Sequence, residues 1–110
     1  MSKYRSKKII IDGISFDSKR EGNRYCELKL LEKAGKIKDL KLQEQFELQP
    51  SFRKNGKTIR AITYVADFTY LDLETNRNVV EDVKGFKTDV YMLKRKLFEF
   101  QHPMLTIEEV

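Results

Sequence analysis

Two hairpin signals stand out in the pattern of apolar and polar positions along the chain. The apolar stretches Lys8-Ile9-Ile10-Ile11 and Ile14-Ser15-Phe16 flank Asp12-Gly13, a pair that readily adopts the positive φ values of a tight turn. Asn55-Gly56 is the strongest turn signal in the sequence and has extendable segments on both sides. The pattern therefore predicts a short N-terminal hairpin and a second tight turn near the middle of the chain.

Two stretches have the apolar period of a helix instead. Ser18 and Glu21 stand at the spacing of a capping box, which predicts a helix from there to about Ala34, ended by Gly35. Thr88 is a second capping candidate, for a helix over residues 89–101. The core-facing stripe predicted for the first helix contains Tyr25, Leu28, Leu31 and Ala34, joined by Leu30 and Cys26. The second helix carries Val90, Leu93, Leu97 and Phe100 on one side and Lys94, Arg95 and Lys96 around the other, and its aromatic residues Phe98 and Phe100 are interpreted as core.

The remaining apolar runs predict strands. They cover about 37–48, in one or two segments, then 59–72, 78–84 and 104–107. The core order is then helix, three strands, helix, strand, preceded by the small hairpin. Strands joined by a crossover helix indicate an α/β fold with a mixed sheet flanked by helices. Residues 1–110 are interpreted as one domain, with residues 1–7 as a mobile basic arm.

Composition narrows the functional classes. The formal net charge of +5 favours a polyanionic partner, although many basic domains bind no nucleic acid. One cysteine (Cys26) and one histidine exclude a Cys/His zinc site and an intramolecular disulfide. No apolar run is long enough to cross a bilayer, and the N-terminus lacks the apolar region of a secretion signal. We therefore expect a soluble cytoplasmic protein without a membrane partner.

Charged residues inside two apolar strands are the best candidates for chemistry. Asp67 lies within Tyr64–Tyr70, and Asp82 and Lys84 follow Val79-Val80. Alternation places Asp82 and Lys84 on one side of their strand. If the two strands pair, Asp67 comes close to Asp82, and two such carboxylates need a cation or a raised pKa. Magnesium suits oxygen ligands of this kind, and a neighbouring lysine could hold water, so the arrangement indicates metal-assisted phosphodiester hydrolysis.

Asp67 and Asp82-Val83-Lys84, in this order of elements, resemble the signature of the PD-(D/E)XK nuclease superfamily. The whole chain also resembles a family of short phage and prophage proteins. That likeness is carried by residues 12–21 (DGISFDSKRE), 64–68 (YVADF) and 80–85 (VEDVKG). The resemblance implies a restriction-endonuclease-like core.

The superfamily resemblance also implies Mg²⁺-dependent cleavage of DNA, less often of RNA, with Mn²⁺ as a substitute. Asp67, Asp82 and the backbone carbonyl of Val83 would hold the metal, with Lys84 near the attacking water. Glu21 occupies the place of a further acidic residue that many members carry on the first helix. The motif's proline is replaced by Ala66, and Asp82 stands where glutamate is commoner.

Each of these candidates has a plainer interpretation. Glu81 precedes Asp82 and rivals it as a ligand, although alternation turns Glu81 away from Lys84 and only a bulge would reverse this. The capping box alone accounts for Glu21. Lys19, Arg20 and Lys94 are candidate contacts to DNA phosphates, but runs such as Lys94-Arg95-Lys96 are usually solvated helix faces.

Three functional hypotheses follow. The first is a structure-specific endonuclease of phage or prophage origin, acting in the bacterial cytoplasm on branched DNA, as in junction resolution or recombination. Cutting two strands needs two sites, so this hypothesis includes a homodimer. The second is a catalytically silent DNA-binding module on the same fold. The third is a protein-binding adaptor, for which DNA affinity should be absent.

Overall fold

The architecture is a mixed α/β fold, as the sequence pattern predicts. The computed structural model describes residues 7–84 and 86–110, so the proposed arm lies outside these ranges except for Lys7, which is exposed. No helix in these ranges is long and apolar enough to span a membrane. The elements, in chain order, are β1 (Ile9–Ile11), β2 (Ile14–Phe16), α1 (Lys19–Lys33), β3 (Ile37–Gln49), β4 (Phe52–Lys54), β5 (Lys57–Ile59), β6 (Ile62–Asp72), β7 (Arg77–Asp82), α2 (Asp89–Gln101) and β8 (Ile107–Glu109).

Local turn and cap signals are realised as predicted. Asp12-Gly13 and Asn55-Gly56 all have positive φ, which closes the β1–β2 and β4–β5 hairpins. The hydroxyls of Ser18 and Thr88 accept hydrogen bonds from backbone N–H groups in the first turns of α1 and α2. Ile59, predicted to open a long strand, belongs to β5 instead because the hairpin pairs it with Phe52.

Four strands form the main sheet in the order β3-β6-β7-β8. β6 is antiparallel to both of its neighbours, β3 and β7, whereas β8 runs parallel to β7. A parallel pair needs a crossover connection, and α2 supplies it. The final strand occupies Ile107–Glu109 rather than the predicted 104–107.

Each helix covers one face of this sheet, so the protein has two cores. Tyr91 and Phe98 of α2 pack with Val80 and Ile107 in one core. The other core contains Tyr25 and Leu28 of α1, and its members at the sheet include Phe68 and Tyr70. Asp82 lies two residues beyond Val80 and therefore faces α2, whereas Glu81 faces α1.

The ribbon of β3 and β6 changes faces in its middle. Leu42 and Phe68 are paired and join the α1 core, whereas Phe46 and Tyr64, also paired, join the α2 core. Regular alternation would keep these even-numbered residues on one face. Gln43 has a φ of 56°, and Asp67, which lies opposite Gln43, has no pairing partner in the ladders of the described chain. The switch therefore occurs at one of the predicted site residues.

The apolar side predicted for α2 is not the side that packs on the sheet. Tyr91 and Phe98 are buried, which confirms the prediction for Phe98, whereas Val90, Leu93 and Leu97 are exposed. Phe100 is exposed too, so its prediction as a core residue is wrong. Tertiary contacts fix the orientation of the helix: the Tyr91 ring lies under the Lys84 ammonium, and Arg95 pairs with Glu109 of β8. The stripe of α1 is only partly right, since Tyr25 and Leu28 are buried but the other predicted members are exposed: Cys26, Leu30, Leu31 and Ala34.

Candidate functional site

Asp67 stands where β6 changes faces, and its carboxylate is held by two donors. The backbone N–H of Val83 donates to Oδ2 at 2.7 Å, and Nε2 of Gln43 donates to Oδ1 at 3.2 Å. Burial raises the pKa of Asp67 to about 6; the neighbouring Asp82 carboxylate adds to this rise, while the Val83 N–H bond opposes it. The bond to Val83 joins Asp67 directly to the residue after Asp82.

Asp82 is the last residue of β7 and is almost fully buried on the α2 side. The Tyr64 hydroxyl donates to its Oδ2 at 2.5 Å, and burial together with this bond raises the pKa of Tyr64. The ammonium of Lys84 lies 3.0 Å from Oδ1. Its alignment is not that of a hydrogen bond, so Oδ1 has no hydrogen-bond donor among the described residues. A buried carboxylate oxygen with only an ion-pair contact can accept a further ligand.

Lys84 connects this carboxylate to α2 and α1. Its ammonium lies 4.5 Å from the centroid of the Tyr91 ring, and its backbone carbonyl accepts a 3.4 Å hydrogen bond from Arg20. About a quarter of the side chain is exposed (27%). The ammonium is therefore fixed between a carboxylate and an aromatic face while it still reaches solvent.

Glu21 reaches the same place from the first turn of α1. Its backbone N–H donates to the Ser18 hydroxyl at 3.1 Å, but the reciprocal bond of a capping box, from the Ser18 amide to the Glu21 carboxylate, is not formed between these two described residues. Burial raises the pKa of Glu21 to about 7; Asp67, Asp17 and Asp82 add to the rise, and Lys84 opposes it. The Glu21 carboxylate therefore lies within electrostatic reach of the other three candidate residues.

The raised pKa of Glu21 predicts a pH-dependent stability difference. Its ordinary pKa of 4.5 rises to about 7 on folding, so the native state is disfavoured as pH rises through that window. Without metal at pH 8, the free energy of unfolding of Glu21→Gln, measured by urea denaturation, is expected to exceed that of the parent by about 1 kcal/mol. The difference is small because solvent screens the charge of this half-exposed group. Glu74→Gln, an exposed change in the connection between β6 and β7, is the control. A Glu21→Gln advantage that stayed constant from pH 5 to pH 8 would contradict the shift.

Glu81 lies on the opposite side of the sheet, as strand alternation predicts. Nε and Nη2 of Arg24 donate to its two oxygens at 2.8 and 2.6 Å, and the Tyr70 hydroxyl donates to it as well. Arg24 thus neutralises the charge of Glu81 with two hydrogen bonds, on the side of the sheet away from Asp67. Of these two neighbouring acidic residues, Asp82 and not Glu81 therefore lies on the same side of the sheet as Lys84.

The proposed phosphate contacts are distributed around this group. Lys19 and Arg20 line an open cavity of about 410 Å³ next to Val83, and Arg20 also bonds to the Lys84 carbonyl. Lys94 is half-buried on α2, one turn beyond Tyr91, and forms no ion pair with a described residue. Two of the three cations therefore lie beside the candidate site, and the third is linked to it only through α2.

Sequence reasoning missed three residues that hold the site: Gln43, Tyr64 and Tyr91. Tyr64 is three residues before Asp67, so alternation would separate their side chains, and only the face switch brings both toward Asp82. Nothing in the sequence near Gln43 indicates its role, because a positive φ is uncommon for glutamine and would not be predicted there. The two tyrosines could have been found from their chemistry, since a buried tyrosine hydroxyl usually has a hydrogen-bond partner.

Among the described residues, no group of three or more His, Cys, Asp or Glu side chains is arranged to hold a metal ion. The donor set nevertheless fits Mg²⁺, which is commonly bound through one or two carboxylates, with water completing its shell. Asp67 and Asp82 supply the two carboxylates, and Asp82 retains an oxygen that receives no hydrogen bond. Any cation here would depend on backbone or water oxygens for its remaining ligands.

Comparison with known proteins yields one relationship. Neither the curated proteins nor the solved structures include a match to this chain. One family model matches residues 1–110, and its description is "Protein of unknown function (DUF1064)". Because that match spans the whole sequence, the chain belongs to the DUF1064 family.

Proposed function

We propose that this chain is a Mg²⁺-dependent endodeoxyribonuclease that hydrolyses phosphodiester bonds, with Mn²⁺ able to substitute. The observation that carries the proposal is the meeting of Asp67 and Asp82, 15 residues apart in sequence, beside Lys84 and Glu21. Burial and the neighbouring carboxylates raise the pKa of Asp67 and of Glu21, and such a cluster of acidic groups inside a fold is typical of functional sites. A divalent cation would relieve that repulsion.

Asp67 and Asp82 are the side chains proposed to bind the cation, together with the backbone carbonyl of Val83. In an extended strand the N–H and C=O of one residue lie on the same side. Since the Val83 N–H bonds to Asp67, its carbonyl is expected on the Asp67 side as well. Bound there, Mg²⁺ would polarise a phosphate and lower the pKa of a coordinated water.

Lys84 and Glu21 are proposed to handle charge and protons. The Lys84 ammonium, held by Asp82 and the Tyr91 ring, can neutralise the negative charge that builds on the phosphate oxygens. The Glu21 carboxyl has its pKa raised to about 7, which suits a group that accepts a proton from the attacking water near neutral pH. Water would then add to phosphorus, the P–O bond to the departing sugar oxygen would break, and that oxygen would take a proton from solvent water.

Charge and fold support DNA as the substrate class. The chain has a formal net charge of +5, and Lys19 and Arg20 lie beside Val83, where they could bind backbone phosphates; Lys94 would extend this surface along α2. The mixed sheet with one helix on each face agrees with the restriction-endonuclease-like core implied by the PD-(D/E)XK resemblance. A phage or prophage origin, action on branched DNA during recombination, and a cytoplasmic location belong to this proposal.

A cleavage panel tests the proposal. Purified protein is incubated with supercoiled plasmid and with four-way, flapped and single-stranded DNA, in Mg²⁺, Mn²⁺ or EDTA. We expect nicking or cutting with either metal and none in EDTA, with branched DNA cut fastest. Cutting that persists in EDTA, or no cutting of any substrate, would contradict the enzyme.

One observation favours a second candidate, a catalytically silent DNA-binding module. Asp67 is already bonded by Val83 and Gln43, and Asp82 by Tyr64 and Lys84, so these carboxylates have partners within the protein itself. Such a module would show DNA affinity that falls as salt rises, with no cleavage in the panel. A protein lacking any salt-dependent DNA affinity would instead favour the adaptor hypothesis.

A further inference from the structure

An apolar stripe runs along the solvent side of α2. It consists of Val90, Leu93, Leu97 and Phe100, which are 63%, 58%, 37% and 84% exposed, and we call it the outer stripe. These residues follow at intervals of three, four and three, which is the a/d spacing of a helix seam. They lie opposite the buried Tyr91 and Phe98, so the helix has one apolar face on the sheet and another in solvent.

The apolar surface extends beyond both ends of the stripe. Phe86 precedes α2 and Met104 follows it, and they are 80% and 94% exposed. Met92 is exposed as well, elsewhere on α2. Exposed apolar side chains clustered on one helix face of a soluble protein usually mark an interaction site.

We propose that the outer stripe is a homodimer interface, in which the α2 helices of two copies of this chain pack against each other in parallel. A seam with a/d spacing is self-complementary, because the same residues meet across a two-fold axis. Pairing would cover the stripe of each copy with that of the other and remove both from water. This inference rests on the exposure of α2 and stands independently of the nuclease proposal.

The charges that flank the stripe select the parallel arrangement. With Val90 and Leu97 at a positions, Asp89 occupies a g position and Lys94 the following e position. In a parallel pair these residues meet across the seam, giving two Asp89–Lys94 contacts of opposite charge. An antiparallel pair centred on the stripe would instead place e positions against e and g against g, bringing Lys94 near Lys94 and Lys96 near Lys96 of the other copy, which is repulsive.

Sedimentation equilibrium of the full chain tests the interface. We expect twice the 13.1 kDa of one chain for the parent protein, and at least about 100-fold weaker self-association for Leu93→Glu, which places charge at the centre of the seam. Leu30→Glu, at a leucine of α1 that is 69% exposed, is the matched control and should leave the dimer intact. Circular dichroism verifies that both variants fold, and Leu97→Glu repeats the test at a second position.

Disulfide trapping tests the orientation separately. In a Cys26→Ser background, which removes the exposed native thiol, Leu93→Cys should form a covalent dimer on mild oxidation because each Leu93 faces its copy. Leu30→Cys in the same background should form no covalent dimer. A parent protein with the mass of one chain up to about 100 μM, or a Leu93→Glu variant that dimerises like the parent, would overturn the interface. Trapping only when the Leu93→Cys and Leu97→Cys proteins are mixed would overturn the parallel arrangement.

Discussion

Replacing Asp82 with asparagine is expected to lower the rate of metal-dependent DNA cleavage by at least about 10³-fold, because it removes several kcal/mol of transition-state stabilisation. Asparagine keeps the shape of the side chain and an oxygen that can accept from Tyr64, so the fold should survive. It removes the charge that would bind the cation and that now faces Lys84. Cleavage of labelled DNA under single-turnover conditions measures the loss.

The matched control for this change is Asp39→Asn. Asp39 is an exposed carboxylate on β3 with a φ of 59°, a conformation that asparagine tolerates well. The Asp39→Asn variant should cleave DNA at the parental rate, and both it and Asp82→Asn should bind DNA with nearly parental affinity. If Asp82→Asn cut DNA within tenfold of the parent, Asp82 would not be a metal ligand.

The second large effect is expected for stability. Arg24→Met should lower the free energy of unfolding by about 3–5 kcal/mol, the usual result of removing one partner of a buried ion pair. Glu81 is only 1% exposed and would retain the Tyr70 hydroxyl but lose both bonds from Arg24. Urea denaturation followed by circular dichroism measures the change.

Two further variants test whether that loss of stability comes from the Arg24–Glu81 ion pair. Lys29→Met removes one partner of the solvent-exposed Lys29–Glu32 pair on the same helix, and its urea midpoint should stay close to that of the parent. Arg24→Met combined with Glu81→Gln should recover part of the loss, because a neutral amide leaves no uncompensated charge. An Arg24→Met loss as small as that of Lys29→Met would mean that the pair does not anchor α1 to β7.

The Arg24–Glu81 pair also has a positional consequence. Arg24 lies one helical turn beyond Glu21, so its anchorage to β7 holds the start of α1 against the strand that carries Asp82. The two faces of β7 thus have different tasks. Glu81 on one face fixes the helix, and Asp82 on the other belongs to the candidate site.

Local and pairwise features of this protein were predictable from sequence. Asp12-Gly13, Ser18 and Thr88 act within a few residues of themselves, so their turns and caps follow from local chemistry. The proximity of Asp67 and Asp82 followed from strand alternation and the short connection between β6 and β7.

Features that depend on distant contacts were not predictable. The face switch at Gln43 and Asp67 arises where two strands pass from one core to the other, and alternation alone could not anticipate it. Phe100, in the outer stripe of α2, was mistaken for a core residue because periodicity identifies an apolar stripe but not what covers it. Contacts of Tyr91 and Arg95 with other elements decide which side of α2 is buried.

Calorimetric titration with Mn²⁺ tests the shared cation site most directly. It is carried out on the parent and on three variants: Asp67→Asn, Asp82→Asn and Asp39→Asn. The site formed by Asp67 and Asp82 predicts one ion per chain for the parent and for Asp39→Asn, and loss of that binding in each of the other two variants. Absence of binding to the parent, or unchanged binding when either carboxylate is neutralised, would contradict it.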